Sequence, residues 1–196
     1  MKRIDTLCYT HIYEDAVTCD WEIGSDLLAC ELGVALALAE QAAEAWSHPG
    51  RQHDSFVSEV AGLQRRVYDA NGSIRGRSAI GDDQVRALFQ QYEAAQAEVG
   101  ARPSLFVLPG GSRLAAQLHV CRCRAKELVR WLHRHGKETG PLPAPLLKWT
   151  NLLSNHLFAL ALIANQALGR KETPYESPNY SVGGRTVSNR APDALG

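Results

Sequence analysis

His119, Arg122, Lys126 and Arg130 fall at i, i+3, i+7 and i+11 of one stretch. Around them Leu114, Leu118, Cys121, Ala125, Leu128 and Leu132 keep helical spacing. That spacing predicts a helix with the four basic side chains on one stripe. Their mutual repulsion costs an isolated helix roughly a few tenths of a kcal/mol per neighbouring pair. A stripe of like charge suits a solvated face. It equally suits a phosphate-bearing ligand, because guanidinium and ammonium donors match phosphate oxygens. Just upstream stands Pro109-Gly110-Gly111, then Ser112 as the predicted N-cap. Glycines there leave backbone N–H groups open beside a helix N-terminus, which favours an anion.

Other side chains are chemically suggestive. Glu31 lies within the apolar run Leu27 to Ala39, so its carboxylate needs a partner or an edge open to water. Arg122 on the basic stripe is the expected partner. Asn151, Ser154 and Asn155 share a helical face, where their polar groups hold a ligand's edge or join helices. Five cysteines stand at 8, 19, 30, 121 and 123. On a helix Cys121 and Cys123 sit about 200° apart and cannot chelate one ion, so structural thiols, and no metal site, are expected. No Ser-His-Asp or Cys-His spacing marks a catalytic group. Cys30, Cys123 and His119 could converge in a cleft, although buried thiols are the simpler account.

The elements that must position these groups are helical. Apolar residues recur at three-and-four spacing behind Ser25, through Phe56, Val60, Leu63, Val67, Ala70 and Ile74, and through Val85, Leu88, Tyr92, Ala95 and Val99 behind Asp82 and Asp83. The basic-stripe helix follows, then Leu146, Thr150, Leu153, Leu157, Leu160, Ala164 and Ala167. Breakers separate them: SHPGRQHD, NGSIRGRSAIG, GARPSLFVLPGG and GKETGPLPAP. Apart from LFVL no stretch reads as a strand. The expected fold is an all-α five-helix bundle with shallow crossings. It forms one domain over residues 1–169, opening with an irregular segment, 1–24. Residues 170–196, rich in Pro, Gly, Ser and Asn, read as a flexible tail.

Composition narrows the function. Of 196 residues, 45% are hydrophobic, and 21 basic residues balance 21 acidic ones. That balance argues against a nucleic-acid partner. The most apolar stretch is interrupted by Glu31 and too short to span a bilayer, so no membrane association is expected. The N-terminal residues lack a signal-peptide core, which with reduced cysteines points to the cytoplasm.

Several segments together resemble one family, the trimeric ATP:cob(I)alamin adenosyltransferases, which are five-helix bundles. LFVLPGGSRLAAQLHVCR is similar to that family's F-I/V-L-P-G-G-S and LHVAR runs, LQRRVYDANGSI to its second-helix pattern, and TNLLSNHLF to its NRLSD segment. The resemblance implies a homotrimer with a small-molecule cleft between subunits, where ATP with Mg²⁺ meets cobalamin. Co(I) would attack the 5′ carbon of ATP and expel triphosphate. By the same resemblance Thr10, Arg122, Lys126 and Asn151 would bind the nucleotide and its phosphates. Phe106 would face the corrin ring, and Glu31, Cys30 and Asn155 would support them.

The departures fall on the chemistry. Tyr13 and Ala16 stand where the family loop has glycines, and His11 stands where it has a permanent cation. Cys30 replaces an aspartate, Lys126 the second phosphate arginine, Val129 a glutamate, Leu152 an arginine and Asn155 a carboxylate. A scaffold kept with an altered cleft leaves open two alternatives to adenosyl transfer: a different small-molecule enzyme, or a non-catalytic corrinoid or nucleotide carrier or sensor.

Overall fold

In the computed structural model Tyr13 and residues 16–100 and 106–176 are described. Five α-helices carry the chain: α1 Val17–Gln41, α2 His53–Asn71, α3 Asp82–Val99, α4 Arg113–Thr139 and α5 Ala144–Ala167. Short 3₁₀ turns follow α1 and α2 at Ala43–Ala45 and Gly72–Ile74. Two three-residue strands, β1 Phe106–Leu108 and β2 Thr173–Tyr175, pair antiparallel. The apolar spacing does what it should: Phe56, Val60, Leu63, Val67 and Ala70 all turn inward from α2. From α4, Leu114, Leu118, Cys121, Ala125, Leu128 and Leu132 are buried.

α4 packs between α1 and α5, while α2 covers α1 and α3 covers α5. α5 is the central rod, buried from Leu153 to Ala164 apart from the exposed Asn155 and the half-buried Phe158, and apolar over that stretch except at Ser154, Asn155 and His156. Each buried leucine contributes about 1.5–3 kcal/mol, so these rows dominate the stability of the bundle. Only four residues separate α4 from α5, which makes the two antiparallel neighbours. Contacts between Gly24 and Trp131 and between Glu31 and Gln117 make α1 antiparallel to α4 as well.

Three expectations about boundaries are corrected. Residues 17–24 are not irregular, because α1 begins at Val17. Ser25, expected as its N-cap, lies buried in mid-helix, donates to the Trp21 carbonyl at 2.7 Å and accepts from Asn71 Nδ2. The same hydroxyl chemistry that caps helices here ties α1 to the end of α2. Gly81, rather than Asp82 or Asp83, is the N-cap of α3, with its N–H donating to Gln84 Oε1 at 2.9 Å. Of the stretch read as a flexible tail, residues 170–176 are described, and Thr173–Tyr175 among them add a strand to β1. Ser112 caps α4 as expected, accepting from the Ala115 N–H at 3.1 Å. No helix among the described residues is long and apolar enough to cross a membrane.

Candidate functional site

The basic stripe of α4 divides between two flanks of the helix. Arg122 turns toward α5, where its guanidinium lies over the Phe158 ring at 5.5 Å from the centroid. That stacking is worth about 0.5–2 kcal/mol, depending on desolvation. Its Nε is buried and has no hydrogen-bond partner among the described residues. Lys126, one turn further along α4, is exposed. Phe158, Asn155 and Asn151 lie on one face of α5 at helical spacing, and both asparagines are exposed. Antiparallel packing therefore gathers Arg122, Lys126, Asn151 and Asn155 on one side of the α4–α5 pair. Phe158 was not singled out from the sequence. Its spacing of three from Asn155 and seven from Asn151 is the signal that would have found it.

His119 is not on a wet face. It is 2% exposed, packs against Phe158 at 5.8 Å between ring centroids, and has no hydrogen-bond partner on either ring nitrogen among the described residues. Burial and the charge of Arg122 push its pKa down to about 4. It is a neutral imidazole at pH 7, so it adds no positive charge to the stripe. The apolar part of the ring explains why a position read as charged sits inside.

The outer face of α4 forms an open groove of about 830 Å³ that runs from Pro109 past His119 and Cys123 to Arg130, Trp131 and Arg134. Arg130 of the stripe belongs here, whereas Arg122 and Lys126 do not line it. Arg124, also on this face, is held by Glu127 at 3.0 Å. Cys123 is exposed and Cys121 buried, with burial pushing the Cys121 thiol up to about 12. Such a thiol is inert at neutral pH.

Glu31 does not pair with Arg122. Gln117 Nε2 donates both to its carboxylate and, at 3.0 Å, to its main-chain carbonyl. The reason is geometric: Gln117 lies on the α1 side of α4, whereas Arg122 lies on the α5 side. Cys30 is exposed on α1, in line with Ile23, Leu27 and Val34, which are 44%, 38% and 50% exposed. Phe106 is 60% exposed on β1. Thr10, with Tyr9, His11 and Asp15, lies outside the described residues. Thr18 is described, and its Oγ1 lies 3.5 Å from His135 Nδ1.

Fold and site define a helical bundle with cations, amides and an aromatic gathered along α4 and α5. Residues 24–164 match the cobalamin adenosyltransferase family. The chain belongs to that family. It is 33% identical over 140 residues to the corrinoid adenosyltransferase of Citrobacter freundii, covering 70% of this chain and 75% of that protein. Against the cobalamin adenosyltransferase of Cupriavidus metallidurans it is 34% identical over 124 residues, covering 61% of this chain and 65% of that protein. A solved structure of a variant PduO-type ATP:corrinoid adenosyltransferase from Lactobacillus reuteri, complexed with cobalamin and ATP, superposes with a TM-score of 0.68. That match covers 85% of this chain and 90% of the other at 20% identity, a likeness of fold.

Proposed function

We propose that the chain transfers the 5′-deoxyadenosyl group of ATP to a reduced corrinoid, with both substrates held in a cleft completed by a second copy. The carrying observation is the buried Arg122 Nε, without a partner among the described residues, beside exposed Lys126. A donor left unsatisfied in this way costs about 1–3 kcal/mol or more if charged, a cost that a phosphate oxygen would remove. In the proposed step the Co(I) electron pair forms the bond to C5′, and the C5′–O bond breaks with its electrons leaving on triphosphate. No proton transfer is needed. The task of the residues is to neutralise the leaving group, through Arg122 and Lys126, and to hold C5′ in line. Asn151 and Asn155 would orient the nucleotide, and Phe106 would meet the corrin ring. Thr10 would contribute from the N-terminal loop.

Arg122→Ala is expected to weaken Mg-ATP binding about 10- to 100-fold, the worth of one charge-assisted contact. Calorimetric titration of wild type and variant reads this directly, and an unchanged affinity would remove Arg122 from the site. The activity itself is tested by reducing cobalamin with ATP present and following the light-sensitive alkyl product. A second reading, a corrinoid carrier, draws on Cys30 and Asn155, which are uncharged where the resemblance has carboxylates. Cobalamin binding without ATP binding or product would select it.

Trimerisation is part of the same proposal. Ile23, Leu27, Cys30 and Val34 form an exposed, largely apolar stripe on α1, and Val120 on neighbouring α4 is 41% exposed. Contiguous apolar surface of this kind marks a protein contact. Light scattering should return three times the 21.5 kDa of one chain, and Leu27→Glu should reduce it to one. A wild-type monomer would count against any shared cleft.

A further inference from the structure

β1 and β2 form a ribbon whose register sets Phe106 directly opposite Tyr175 and Leu108 opposite Thr173. Residues facing each other across an antiparallel pair project from the same face, with Cβ atoms about 4.5–5.5 Å apart. Positions two apart on a strand share that face too. One face of the ribbon therefore carries Phe106, Leu108 and Tyr175 together, at 60%, 47% and 41% exposure. Three large, largely uncharged side chains are held side by side at a place where the chain spends backbone hydrogen bonds to keep them in register.

The ribbon is anchored rather than loose. Asn165, fully buried on α5, donates to Glu172 Oε1 at 2.9 Å and to the Gly110 carbonyl at 3.0 Å, and accepts from the Ser112 N–H at 2.8 Å. One amide thus fastens the residue just before β2 to the turn just after β1. Pro109, next in the chain after Leu108, lines the open groove on α4 that also holds Arg130 and Arg134. The family match ends at residue 164, so β2 lies beyond it.

We infer that Tyr175 is a second ligand-facing aromatic, positioned by β2 opposite Phe106 so that the two rings form one platform for the flat face of a corrin ring. This rests on the corrinoid reading above. The aromatic pair supplies a broad, rigid contact at low entropy cost. The tyrosine hydroxyl is not needed for it.

Cob(II)alamin is titrated into wild type, Tyr175→Ala, Tyr175→Gln and Tyr175→Phe, following the visible spectrum. The Ala and Gln variants are expected to bind roughly tenfold more weakly, one aromatic contact's worth. The Phe variant should match wild type, and calorimetry should give all four the same Mg-ATP affinity within about twofold. Gln keeps a chain of comparable length, so loss in both variants would exclude a fault peculiar to the small side chain. Wild type that binds cob(II)alamin with the Ala and Gln variants unchanged overturns this inference alone. Wild type that binds none overturns the corrinoid reading and this inference with it. A change of mass by light scattering in the Ala variant would make the face a subunit contact and overturn the ligand role.

Discussion

Arg51→Met is expected to lower the free energy of unfolding by about 3–5 kcal/mol, the usual consequence of removing one partner from a buried ion pair. Arg51 forks onto Glu98, with Nε–Oε2 and Nη2–Oε1 both 2.8 Å, and its Nη1 donates to Glu59. All three side chains are largely buried, at 10%, 19% and 9% exposure. Glu59 also accepts from His156 Nε2 at 2.8 Å, and His156 is wholly buried. A carboxylate only accepts, so the imidazole is the donor. The four residues tie the α1–α2 connection, α2, the end of α3 and the middle of α5 together.

Burial by itself would raise the Glu59 pKa, but the bond and charge of His156 and of Arg51 outweigh it and hold the carboxyl below the ordinary range. A depressed carboxylate pKa contributes stability that is full above the unfolded value, about 4.3, and fades as pH falls through the folded value. The deficit of Arg51→Met should therefore be largest near neutrality and shrink in acid, as the orphaned carboxylates protonate. Urea unfolding at pH 7 and near pH 4 gives both figures. Arg51→Met with Glu98→Gln should recover part of the loss at pH 7, since one stranded charge is gone. A single variant within about 1 kcal/mol of wild type would mean that water, not the pair, satisfies these carboxylates.

This network was not legible in the sequence, and the reason is sequence separation. Arg51 and Glu98 are 47 positions apart, and Glu59 and His156 are 97 apart. Local spacing carries no trace of such partners, and Arg51 sits in a stretch that reads only as a breaker. A hint was present in His156, a polar residue amid Leu153, Leu157 and Leu160, all buried. Helices, by contrast, are written locally, so Phe56 to Ala70 and Leu114 to Leu132 were readable as inward-facing rows. The start of α1 was not, because Ala16, its N-cap, makes no side-chain bond that a residue type would announce.

The site was legible in part for the same reason. Spacing put Arg122 and Lys126 on one helix and Asn151 and Asn155 on another. Yet it also gave Ser154 the asparagines' face, whereas Ser154 is buried and donates to the Asn151 carbonyl at 2.8 Å. It could not say which neighbour each flank of α4 would meet. Glu31 therefore went to Gln117 rather than Arg122, and His119 turned from a stripe member into a buried ring. The pairing of Phe106 with Tyr175 joins segments 69 positions apart in the strand register, beyond the reach of any periodicity.

Gly111→Ala should cost about 3–5 kcal/mol, although it adds one methyl group at an exposed turn. Two separate costs combine there. Gly111 has φ = 97°, a conformation in which an L side chain costs about 1–2 kcal/mol. A Cβ at that position would also lie 2.3–2.6 Å from the atoms of the Asn165 amide. The amide cannot yield freely, because it is fully buried and makes three hydrogen bonds, to Gly110, Ser112 and Glu172. Displacing it strands buried groups at about 1–3 kcal/mol each. Asn165→Ala should remove the same bonds without a clash, for about 2–4 kcal/mol. In the double variant the steric part disappears, leaving the loss of Asn165 plus the φ cost alone. The two single losses should therefore exceed the double by a clear margin, a coupling that thermal or urea unfolding of the four proteins would measure. Strict additivity would show that the turn and the amide act independently, and the turn would then be held by its backbone alone. Coupling would instead mean that one glycine and one asparagine together set how α4, with its cations, leaves the ribbon that carries Phe106.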